Sequence, residues 1–151
     1  MIIIKVYFLL IFHFYMVEIR KIRIKEEEFY KILYGPLDIK ISFMLLNFYY
    51  WPNLKSRDLV FRAFDPRRLE IIIKEGTERT KDYVSKYDNP EIIYVTSLLK
   101  ALQYAEEHFD KGEACIAVYN KNELEQTDFY SYKPKKSFKE ALAGIVCLEK
   151  E

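Results

Sequence analysis

The sequence predicts an α+β domain, and three observations carry the prediction. Apolar residues alternate with period two in several short runs and recur at helical spacing in others. Residues that open and close helices stand at the joints: Asp65-Pro66, Ser97 and Ser137 open segments, whereas Gly35, Gly76 and Gly112 end them. The chain has 151 residues, half of them apolar, which is enough to bury one core without metal or crosslinks. These features predict a single α+β domain over residues 18–151, preceded by an apolar extension at 1–17.

The extension is almost wholly apolar apart from Lys5 and His13. A signal peptide or membrane anchor fits poorly, because the run Val6 to Val17 is shorter than the roughly 20 residues that span a bilayer, and no small-residue cleavage site follows it. A packed strand, or a true start at Met16, fits better; a membrane tether is the remaining alternative. Val17 to Lys25 reads as a strand with Ile22 and Ile24 inward and a basic face of Arg20, Lys21, Arg23 and Lys25. Glu26 to Tyr34 suits a short helix, with three glutamates where the helix dipole favours them. Ile39 to Trp51 is apolar with mixed periodicity, so strand and helix both remain open.

Leu59 to Phe64 reads as a strand interrupted by one charge, Arg62. Asp65 then caps a helix with Pro66 at its first position and Leu69, Ile72 and Ile73 as its buried stripe. Thr77 to Pro90 is a polar loop carrying Tyr83 and Tyr87, of a length that often serves binding. Glu91 to Thr96 forms a strand, and Ser97 caps a helix with Leu98, Leu99, Leu102, Ala105 and Phe109 on its apolar side. Ala114 to Tyr119 is a strand, Asn120 to Asn122 a turn, and Leu124 to Tyr132 an irregular or partly extended segment. Ser137-Phe138-Lys139-Glu140 matches a capping box, and Gly144 leads into a terminal strand, Ile145 to Leu148.

Composition narrows the function. Twenty-four basic and twenty-three acidic side chains leave a net charge of +1, which gives no whole-molecule attraction for a nucleic-acid backbone. Aromatic residues make up 17%, more than a core this size consumes, so some rings must face the surface or line a cleft for a flat ligand. Abundant Ile, Lys and Glu with few Cys is a composition seen in heat-adapted proteins. Cys115 and Cys147 each lie in an apolar run without clustered His or further Cys, so no metal site is expected; both read as buried reduced thiols of a cytoplasmic protein. The lysines at 133, 135, 136 and 139 read as a charged loop entering a helix, able to meet a phosphate-rich partner.

Particular stretches narrow it further: Phe61-Arg62-Ala63-Phe64-Asp65, then Ile-Ile-Ile-Lys-Glu-Gly ending at Gly76, then Ile93-Tyr94-Val95-Thr96-Ser97 followed by Ala101, Tyr104 and Ala105. Over about ninety residues this resembles the ADP-ribosyltransferase-like proteins, with the core at 58–151. The resemblance implies small mixed sheets forming a cleft, with peripheral helices around it, and NAD as substrate in that cleft. It implies that Arg62 anchors NAD, that Thr96 and Ser97 hold the nicotinamide ribose with Tyr94 as the competing choice, and that Glu149 or Glu151, spaced Glu-x-Glu, supplies the catalytic carboxylate. Tyr83 and Tyr87 would stack on nicotinamide from the loop. The chain departs from the polymerase-like pattern, having no His before the first helix, and it lacks the paired Arg and His residues of the RNA phosphotransferase relatives.

The expected chemistry is scission of the nicotinamide–ribose bond and transfer of ADP-ribose to a protein or nucleic acid, as in a small toxin or modifying enzyme. Its oxocarbenium-like transition state requires negative charge near the ribose and a cation on the pyrophosphate. Arg62 suits the second role by its forked donors, and an ion pair with Asp58 or Asp65 is its ordinary alternative. Ser97 is explained equally by capping, Glu140 by the capping box, and Arg79 as a loop residue that could contact phosphate. A non-catalytic module on the same fold, binding a nucleotide or a protein, is the competing function.

Overall fold

The computed structural model describes residues 3–11, 15–35, 45–51, 54–80, 89–109 and 112–151. The molecule is α+β. A five-stranded sheet is built from β1 (Ile3–Ile11), β2 (Tyr15–Ile24), β3 (Leu59–Phe64), β5 (Glu113–Asn120) and β8 (Leu142–Lys150), in the order β1-β2-β8-β5-β3. Only the β2–β8 pair is parallel. A three-stranded antiparallel sheet combines β4 (Ile93–Tyr94), β7 (Ser131–Pro134) and β6 (Leu124–Asp128).

Because side chains alternate across a strand, the large sheet presents two apolar faces, each with its own cover. Ile22, Ile24, Phe61, Ile116, Val118, Val146 and Leu148 form one. Helix α1 (Glu26–Tyr34) lays Phe29, Ile32 and Leu33 on it, and the longer helix at Leu98–His108, here α3, adds Leu98, Ala101, Leu102 and Ala105. Phe48, from a π-helical turn at Leu45–Tyr49, and Trp51 complete this layer. Trp51 packs against Gly144, where any Cβ would enter the indole ring. Gly144 therefore lies inside β8 and does not precede the strand as the sequence suggested.

The opposite face, with Ile19, Phe64, Ala117, Tyr119 and Ile145, is covered by Ile72 of α2 (Leu69–Glu75), by Phe138 and Ala141 of the short α4 (Phe138–Ala141), and by Ile93, Leu124 and Tyr132 of the small sheet. Full burial of such side chains contributes about 2–3 kcal/mol each before entropy, so this sandwiching supplies the driving force. Gly76 closes α2 in the left-handed region at φ 81°, tight against the backbone of Phe138 and Lys139. The Tyr119 hydroxyl donates to the Gly76 carbonyl at 2.7 Å.

Three expectations need correction, and a fourth is decided between its alternatives. Cys115 and Cys147 are not separate thiols: they stand opposite each other on β5 and β8 and are joined as a disulfide. Arg20 is not on an exposed basic face; it shares the face of Ile22 and Ile24 and is buried, with Glu18, the carbonyls of Asn47 and Tyr50, and the Trp51 ring as partners. For the segment 124–132, of the irregular and partly extended readings the structure takes the extended one, as a hairpin in which β6 turns into β7. The strand expected over 91–96 is reduced to Ile93–Tyr94. Among the described residues no helix is long and apolar enough to cross a membrane.

Candidate functional site

The edge strand β3 has β5 on one side only, and beyond that edge lies a cleft. A single bridge, the Thr96 N–H to the Phe61 carbonyl at 3.3 Å, pins the chain after β4 to the strand. The turn after α2 forms one wall and the first turns of α3 another. The cleft is about 590 Å³, lined by Arg62 and Ala63 of β3, Asp65, Glu78, Arg79, Tyr94, Val95, Thr96, and Lys100, Ala101 and Tyr104 of α3, with Phe109 behind them. That volume suits a small-molecule ligand.

Arg62 is brought to this cleft by the strand's pleat and then fixed by neighbours. Its Nε donates to Glu78 Oε1 at 2.7 Å, its Nη2 completes the ion pair, and its Nη1 donates to the Tyr94 carbonyl at 2.7 Å. Its carboxylate partner is thus Glu78, not Asp58 or Asp65. Glu78 is only 3% exposed, and its Oε2 has no hydrogen-bond partner among the described residues. Leaving a buried carboxylate oxygen unsatisfied costs free energy, so this atom marks a place where a donor is wanted.

Asp65 has a different job. It caps the turn Pro66–Arg68, accepting the Arg67 N–H at 3.0 Å and the Arg67 guanidinium on both oxygens. Those side-chain hydrogen bonds hold its carboxyl below the usual carboxylate range. Arg79 stands with its guanidinium carbon 5.5 Å from the Tyr94 ring centroid, donates Nη2 to the Asn89 carbonyl at 3.3 Å, and keeps a buried Nε without a partner among the described residues. Tyr94, 53% exposed, and Tyr104 offer aromatic surface at the rim.

The sequence-derived residues divide cleanly. Arg62, Tyr94 and Thr96 converge on the cleft. Ser97 does not line it; its Oγ accepts the Lys100 N–H at 3.4 Å and caps α3. Tyr83 and Tyr87 lie outside the described residues. Glu149 and Glu151 are elsewhere. Arg62 is level with Ala117 and, through it, with Ile145, so Glu149 lies four residues further along β8, about 13 Å in strand rise and two strands across. Glu149 pairs with Arg23 at 3.0 Å, and the Glu151 N–H continues the ladder to Ile24.

Glu78 is the residue that sequence reasoning missed. A carboxylate two positions after a helix-ending glycine carries no pattern of its own; only the fold shows that this turn abuts β3. Comparison of the chain with protein-family models, with curated proteins and with solved structures finds no match.

Proposed function

We propose that the cleft beside β3 binds NAD, and that the chain is an ADP-ribosyltransferase-like domain which transfers ADP-ribose to an acceptor. One observation carries the reading: Arg62 of β3 and Tyr94 and Thr96 of the chain at β4, two segments distant in sequence, line a single cleft of ligand size. Of the five N–H groups on Arg62, contacts with Glu78 and Tyr94 engage three. Among the described residues, two are left for a phosphate or ribose oxygen. Arg79 and Lys100 add positive charge for a pyrophosphate, and Tyr94 and Tyr104 add rings for a base.

In the transfer, the bond between ribose C1′ and the nicotinamide nitrogen breaks and nicotinamide leaves with the electron pair. A lone pair on the acceptor then bonds C1′, and the acceptor releases its proton to solvent or base. The positive charge developing on the ribose calls for a nearby carboxylate. Glu149 and Glu151 lie away from the cleft, so within it we assign the role to Glu78, whose buried Oε2 has no partner among the described residues. A specific observation also favours a binding module without turnover: Glu78 already spends Oε1 on Arg62.

Two measurements on folded variants decide between them. Calorimetry is expected to show NAD binding, weakened about tenfold or more in Arg62→Ala, in line with a hydrogen bond to a charged group. Nicotinamide release is expected from the wild type and lost in Glu78→Gln, with NAD affinity retained. Binding without release in the wild type selects the module; no binding at millimolar NAD overturns both.

A further inference from the structure

Cys115 and Cys147 face each other across β5 and β8, and the residues beside them complete a block of four. Glu113 is opposite Glu149 in the same ladder, each two residues from a cysteine, so alternation places all four side chains on one face. On the neighbouring strand β2, Lys21 is level with Cys147 and Arg23 with Glu149. The cysteines are buried, whereas Glu113 is half-buried and Lys21 is exposed at the end of the sheet. Glu113 Oε1 stands 3.5 Å from Cys115 Sγ, and one carboxylate oxygen and both sulfurs all lie within 4.8 Å of one another. A tetrahedral ion asks for such a spacing, since sulfurs about 2.3 Å from zinc stand about 3.8 Å apart.

The charges on this face agree with a cation once the cysteines are reduced and ionised. The carboxylates of Glu113 and Glu149 are offset by Lys21 and Arg23, of which Arg23 pairs with Glu149 at 3.0 Å. What remains is the charge of two thiolates, equal and opposite to that of a divalent ion. Neighbouring cations also lower a thiol's pKa, which favours the ligating form. Soft thiolate ligands select zinc over magnesium or calcium.

We propose that Glu113, Cys115 and Cys147 form a binding site for zinc, or another thiophilic divalent cation, that exists only when their disulfide is reduced. A small dithiol breaks the bond between the two sulfurs: each takes one electron and one proton, and the sulfurs of the dithiol join to each other. Each cysteine then gives up its proton as it binds the ion. The ion replaces the crosslink between β5 and β8, with Glu113 as third ligand and water as the fourth. The site uses no residue that lines the cleft and does not depend on the NAD reading.

Cobalt titration of the full chain tests this, because a thiolate bound to Co2+ gives a charge-transfer absorption band. The protein is reduced with a phosphine, which is then removed without air. One Co2+ per chain is expected, with the thiolate band, displacement by Zn2+ and a rise in the unfolding temperature of the reduced chain when zinc is added. The oxidised chain should show no band. Cys147→Ser should abolish it, and the reduced wild type is its proper control because both lack the crosslink. Glu113→Gln should weaken cobalt binding at least about tenfold, the loss typical even of a residue outside the ligand set, and should still form the disulfide in air. A reduced chain that gives no band or stays unfolded with zinc present overturns the proposal. So does a band in the oxidised chain, or one that Cys147→Ser or Glu113→Gln leaves unchanged.

Discussion

At the scale of single residues, local hydrogen bonding made the caps legible and distance hid the pairs. Asp65, Ser97 and Ser137 cap their segments as their side chains and spacing suggested, each accepting an N–H two or three residues on. The partner of Arg62 comes from sixteen residues away, and although Glu18 beside Arg20 is a neighbour in sequence, the carbonyls of Asn47 and Tyr50 that complete its burial come from a separate strap of chain. Asp65 gives a pH prediction. Its folded pKa lies below its ordinary value because Arg67 bonds the ionised form. The stabilisation is present above the unfolded pKa and is lost as pH falls through the folded one. Asp65→Asn is therefore expected to flatten the acid limb of a chemical-denaturation profile below about pH 4, and to leave its slope near neutrality alone. An unchanged acid limb would show that the pairing does not hold in solution.

Among elements, α1 has the limits that its first-turn glutamates and Gly35 indicated and β3 those of its apolar run, while the small sheet was obscured. Its hairpin turns at Asp128-Phe129-Tyr130-Ser131, without the glycine or Asn-Gly pair that announces a tight turn. The disulfide was hidden for another reason: two cysteines 32 residues apart meet only because β5 and β8 pair in this register. Closing a loop of this length removes unfolded-state entropy worth about 3–4 kcal/mol in the chain-entropy view. Reductant, or Cys115→Ala with Cys147→Ala, is expected to lower the unfolding free energy by about 2–4 kcal/mol. Thiol titration of the denatured, unreduced protein should find no free thiol. Two thiols there would refute the crosslink.

The order of the whole sheet follows from no local signal, since β8, last in the chain, inserts between β2 and β5. The sequence did mark the apolar stretch before Met16 as strand-compatible, and β1 pairs with β2 along its length. A chain begun at Met16 lacks β1 and leaves the outer edge of β2 with unpaired N–H and C=O groups. Light scattering is expected to show self-association of that shorter chain at concentrations where the full chain stays monodisperse; equal behaviour would mean that β1 is dispensable as an edge guard. The cleft likewise depends on the whole: its wall of Glu78 and Arg79 follows Gly76, whose carbonyl is held by a phenol rooted in the centre of the sheet. The wall of the cleft is thus tethered, through the Tyr119 hydroxyl, to the protein's interior.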